Sequence, residues 1–202
     1  NLYLERGDYA KAEGYLKQAH AMAPAVVDAR LQNPNDAPLL LANLATAAQG
    51  LGDLDRAEAL YAQAQAQMEA LDPEDAPELV YILHNRAFLL LERGDGEGAY
   101  RLWQQSLALR RETYRGDHPL VATAMSNLAF QALALKKFDE GLALASEGAQ
   151  MADRVYVVPD SDQVNAHLVH AQALGTTGDM PAAARADEGL DEACAQRRQA
   201  QR

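Results

Sequence analysis

From Leu40 onward, apolar residues return at steps of three and four. Leu40, Leu41, Leu44, Ala45, Ala48 and Leu51 lay one stripe along a helix. Asp36 stands ready to accept hydrogen bonds from the free amides at its start, and Pro38 in the first turn loses no bond that an amide would have made. Gly52 supplies a left-handed stop, and Asp53 caps a second helix through Ala57, Leu60, Tyr61 and Ala64. The two small residues, seven apart, let the partner helix come close. The stretch from Pro38 to Gln67 therefore predicts an antiparallel helical hairpin.

The plan recurs. A second copy opens at Asp75 and Pro77, carries Leu79, Ile82, Leu83, Ala87 and Leu90, turns at Gly94-Asp95 and continues through Ala99, Leu102, Trp103 and Leu107. A third opens at Asp117 and Pro119, with Val121, Ala124, Met125, Leu128, Ala129 and Leu135 on the stripe, and Gly141, Leu142, Ala145 and Gly148 on the second helix. A fourth opens near Asp160 to Asp162, turns at Gly178-Asp179, and has Pro181 and Ala183 on its second helix. At the front, the run Leu4 to Asp8 repeats the run Leu91 to Asp95 letter for letter and leads into Tyr9, Ala12, Leu16 and Ala19, so the chain begins near the end of a first helix. An irregular connector over 23–37, with Pro24, Asn33 and Pro34, stretches the first spacing to 45 residues.

Elsewhere the stride is 42: Asn43, Asn85 and Asn127 stand on it, as do Gly52, Gly94 and Gly178. A fixed period of this length belongs to an array of stacked supersecondary units. The expected organisation is one repeat domain over 1–202, with repeats at 1–24 (partial), 37–72, 76–115, 118–154 and 161–198. The start at Asn1, not at Met, gives the look of a piece of something longer. Two positions break the lattice. Lys136-Lys137 replaces the turn glycine, and Val169 takes the place of a fourth Asn. A lysine held at positive φ costs about 1 kcal/mol relative to glycine, so that turn is expected to be rearranged or strained.

Composition sharpens the picture. Ala and Leu dominate over the β-branched and aromatic residues that sheets need, which makes the chain all-α. Its 29 acids against 18 bases leave a charge of −11, which repels phosphate and disfavours nucleic acid as a partner. The single cysteine, Cys194, cannot close an internal disulfide. No apolar run reaches the length of about 18 residues that a membrane span needs, and no leader is visible, so the expectation is a cytoplasmic protein without membrane contact.

The string Gly116, Asp117, His118, Pro119, Val121, Ala122, Thr123, Asn127, Leu128 and Ala129 resembles the tetratricopeptide repeat, in its 42-residue kinesin-light-chain form. The resemblance covers nearly the whole chain and is weakest over 23–37 and after Glu188. It implies a right-handed superhelical solenoid whose first helices line a concave groove. Helical stepping from the lattice asparagines places Leu39, Ala42, Asn43 and Thr46 there, then Tyr81, His84, Asn85 and Phe88, then Thr123, Ser126, Asn127 and Phe130, and finally Asn165, Leu168 and Gln172. Amides at regular spacing serve an extended backbone, and the aromatic residues offer pockets for its side chains. The competing reading is that each Asn only ties neighbouring helices together. Relatives that grip a terminal carboxylate use Lys and Arg on this face. None of these residues is basic, so the expected partner is a neutral or basic protein or peptide.

Other constellations carry less. His167 and His170 have a ligand-like spacing but lack a third ligand, so no metal site is expected. Gly94, Gly96 and Gly98 follow no strand and precede no P-loop lysine, and Arg6-Gly7-Asp8 is a repeat turn. Cys194 has no activating His, Trp103 reads as helix packing, and Arg197-Arg198 reads as a solvated tail. No catalytic residue or cofactor is expected. The leading reading is a protein-interaction module. The alternatives are the sensor or coupling domain of a bacterial signalling or transcription-regulatory protein, and a scaffold that self-associates into a homodimer through open solenoid ends.

Overall fold

The computed structural model describes residues 2–22, 35–71, 78–156 and 161–178. Among these the chain forms helices and no strand: α1 (Leu2–Glu5), α2 (Tyr9–Met22), α3 (Asp36–Gly50), α4 (Leu54–Glu69), α5 (Leu79–Glu92), α6 (Gly96–Tyr114), α7 (Pro119–Ala134), α8 (Phe138–Val155) and α9 (Ser161–Thr177). Contacts divide the chain into two units, 1–102 and 103–202, and the division falls within α6. The 23–34 stretch of the connector, Asp75, Pro77, Asp160 and everything from Asp179 onward, including Pro181, Ala183, Cys194 and Arg197-Arg198, lie outside the described residues.

In the first unit, α3 lies against α2, α4 and α5. Ala12 and Leu16 of α2 meet Leu44 and Ala47 of α3, flanked by Tyr3, Leu4, Leu40 and Leu60. Ala57 and Ala64, the small pair expected at a helix crossing, are both fully buried in α4, together with Tyr61 and Met68. Polar clamps then join successive hairpins. The Arg86 guanidinium of α5 reaches Glu58 (Nη2 to Oε1, 2.5 Å) and Gln65 (Nη1 to Oε1, 2.6 Å) on α4. Asn35 donates to Glu78 at 2.6 Å and Gln49 donates to Glu92 at 2.8 Å, each pair 43 residues apart, one residue beyond the repeat stride.

In the second unit, α8 lies against α7 and α9. Gly148 lets α8 approach α7 closely: a Cβ there would stand 3.2 Å from Met125 Cβ and 3.5 Å from the Ala122 oxygen. Val169, at the fourth lattice position, is buried among Ala129, Leu133, Ala145 and Ala173. An amide there would enter an apolar core without a partner, which accounts for the break in the asparagine series.

The helix starts differ from expectation in two places. Asp36 is the first residue of α3 and not its cap, and Asn35 before it makes no capping bond. At α7 the cap is His118, whose Nδ1 accepts from the Leu120 amide at 3.2 Å. Asp117 turns to Arg154 instead (Nη2 to Oδ1, 3.0 Å), and that guanidinium holds its carboxyl below the ordinary value. Asp53 does cap α4, through the Arg56 amide at 3.3 Å. Leu51, read as part of the apolar stripe, is the exposed residue that follows α3.

The lysine turn keeps the shape of its glycine counterparts. Lys136 sits at φ 61°, beside Gly7 at 71°, Gly52 at 81° and Gly94 at 83°. The following amide bonds back in the same way at each: Lys137 to Ala132 at 2.9 Å, Asp53 to Ala48 at 2.9 Å and Asp95 to Leu90 at 2.8 Å. Of the two outcomes expected, this is strain without rearrangement.

Candidate functional site

The residues expected on the binding face come from α3 and α5 in the first unit and from α7 and α9 in the second. In the first unit, Thr46, Asn85 and Phe88 line one open cleft of about 530 Å³. Phe88 is 43% exposed, and its ring meets His84 edge-on with centroids 4.9 Å apart. Tyr81 is exposed and Asn43 half-buried; neither lines this cleft. The Thr46 hydroxyl is already engaged, 3.1 Å from the Ala42 oxygen and 2.8 Å from the Tyr61 hydroxyl. Tyr61 is 1% exposed, and burial pushes its phenol up to about 12. Thr46 thus supports the cleft floor more than it offers a free donor.

Helical stepping missed five lining residues: Tyr9, Gln49, Gly50, Tyr61 and Glu92. One further turn along α3 and α5 reaches Gln49 and Glu92, so that pair was within reach of the same arithmetic. Tyr9 and Tyr61 belong to second helices of their hairpins, and only packing brings them to this face.

In the second unit, Phe130 is 46% and Leu168 51% exposed, and Asn165 and Gln172 are exposed too. Thr123 is occupied: its hydroxyl lies 2.9 Å from Asp162 Oδ2 and 3.0 Å from the Pro119 oxygen, which joins α7 to α9. Ser126 is buried, 3.1 Å from the Ala122 oxygen and facing the gap opposite Gly148, so it presents nothing to solvent. Asn43, Asn85 and Asn127 are half-buried, and none makes a side-chain hydrogen bond among the described residues.

His167 Nε2 lies 2.7 Å from Asp153 Oδ1, which also accepts from Gln163 at 2.9 Å. These contacts tie α9 to α8. Burial, aided by His167, pulls His170 below its ordinary value. Among the described residues, no group of three or more His, Cys, Asp or Glu comes together as metal ligands would. Gly94, Gly96 and Gly98 form a turn and the first residues of α6. Trp103 is buried. No described helix is long and apolar enough to cross a membrane.

Residues 78–130 match the family model of the tetratricopeptide repeat. That stretch carries the tetratricopeptide-repeat pattern. The repeat fold is similar to that of BtubC (BKLC) from P. vanneervenii, with a TM-score of 0.84 and 18% identity over 96% of this chain and 76% of that one. It is also similar to the nearly identical kinesin-light-chain TPR-like repeats of Podosopora anserina, with a TM-score of 0.77 and 21% identity over 96% and 90%. Bacillus thuringiensis PlcR, solved in complex with the peptide PapR7 and DNA, gives a TM-score of 0.60 at 12% identity over 99% and 72%. No curated protein matches the chain in sequence.

Proposed function

We propose that the chain is a protein-interaction module that holds an extended peptide segment of a partner along the first helices of its repeats. The observation that carries this reading is the cleft in the first unit, where Asn85 and Phe88 meet an opening large enough for side chains. The amides of Asn43, Asn85 and Asn127, which make no side-chain hydrogen bond among the described residues, support it: half-buried donors and acceptors on a repeat are suited to a ligand backbone. The partner is a neutral or basic protein or peptide, drawn in by the chain's charge of −11.

A second reading, a sensor or coupling domain of a bacterial regulator, is favoured by the fold likeness to PlcR, which was solved with a peptide bound. Both readings require ligand contact at the lattice amides. Replacing Asn85 and Asn127 by Ala is expected to leave melting within about 1 °C of wild type, since no side-chain hydrogen bond among the described residues is lost. Capture of a partner, once identified by pull-down, is expected to fall. A drop of several degrees in melting with partner capture intact would make the amides structural and sink the proposal.

A further inference from the structure

The cleft between α3 and α5 holds more chemistry than the stacking of hairpins needs. Three rings, Tyr9, Tyr61 and Phe88, line it together with one carboxylate, Glu92, and no Lys or Arg is among the lining residues. Glu92 Oε2 accepts from Gln49 Nε2 at 2.8 Å, which orients the carboxylate and leaves Glu92 Oε1 and Gln49 Oε1 as further acceptors. Gly50 shapes the other wall: a Cβ there would collide with the Tyr9 ring, so the glycine lets that ring lie directly against the α3 backbone.

We infer that this cleft receives one cationic side chain of the bound peptide, a lysine or arginine, its stem against the Phe88 and Tyr9 rings and its head group on the Glu92 carboxylate. The inference rests on the peptide-binding reading above and deepens it. Lys and Arg are apolar along the stem and charged only at the tip, which matches a lining of rings and one oriented anion. Ring faces attract cations and charge-assisted bonds to a carboxylate are the strong ones, so both features favour the same occupant. An acidic side chain would meet Glu92 as a like charge. A wholly apolar one would strip water from Glu92 and offer it no donor.

The test selects displayed random 12-residue peptides on the full chain and measures the winners by fluorescence anisotropy. Targets are the wild type, Glu92→Gln, Phe88→Ala, Gly50→Leu and Asn85→Ala, each checked for unchanged helicity. Glu92→Gln keeps an oxygen for Gln49, so the local bond survives. The expected result is that winners share a Lys or Arg. Its replacement by norleucine or citrulline weakens binding to wild type by about tenfold, and to Glu92→Gln by about twofold or less. Phe88→Ala and Gly50→Leu are expected to weaken the wild-type winners as well.

Winners that need no basic residue, yet lose affinity with Phe88→Ala or Asn85→Ala, overturn the cationic occupant and keep the groove. Winners indifferent to Glu92→Gln, Phe88→Ala, Gly50→Leu and Asn85→Ala, or no winners at all, overturn both.

Discussion

The lysine turn between α7 and α8 is a measurement of backbone strain that the repeat provides with its own controls. Lys136 holds φ 61° where Gly52 holds 81° and Gly94 83°, with the same backward hydrogen bonds. A side chain in the left-handed region costs about 1–2 kcal/mol, and glycine gives back about 0.5–1 kcal/mol through its freer unfolded chain. The net expectation for Lys136→Gly is a gain of about 0.5–1 kcal/mol, or about 1–4 °C in Tm for a chain of this size. The reverse exchange is equally clean. A Cβ at Gly94 would touch nothing within 4 Å, so Gly94→Lys changes backbone strain and little else, and a loss of similar size is expected. Urea unfolding followed by circular dichroism reads both, with the denaturant slope held constant as the check that only stability moved. Lys136→Gly that leaves the midpoint where it was, or Gly94→Lys that costs nothing, would refute the strain argument.

Two further outcomes follow from packing and burial. Gly148→Leu is expected to lose about 2–3 kcal/mol, because even a Cβ would stand 3.2 Å from Met125 Cβ and the two helices must part; a wild-type melting curve would show that α7 and α8 do not meet there. Tyr61, held up to about 12 by burial against an ordinary 10.0, makes the fold sensitive to alkali. The raised group contributes fully below pH 10. Its contribution is lost as pH rises from 10 towards 12, because the unfolded phenol ionises while the folded one stays protonated, a loss of about 2 kcal/mol. Stability measured over that window should fall in the wild type and fall less in Tyr61→Phe, and equal slopes would contradict the assignment.

Much of this molecule is readable from spacing alone. Helix existence follows from three- and four-residue apolar steps, and hairpin turns follow from glycine on a 42-residue stride, because both depend on contacts made within a repeat or with its copy next door. The glycine rule even located the turn at Lys136, since the backbone bonds of a helix end are local. Tertiary structure decided the rest. It made His118 and not Asp117 the cap of α7, because Arg154 competes for the carboxylate. It buried Ser126 beside Gly148, and it committed Thr46 and Thr123 to Tyr61 and Asp162. It also brought Tyr9 and Glu92 to one cleft from distant helices of the chain. Periodicity reports which way a residue faces on its own helix. What stands opposite is set by the neighbouring helices, and so is which polar groups remain for a partner.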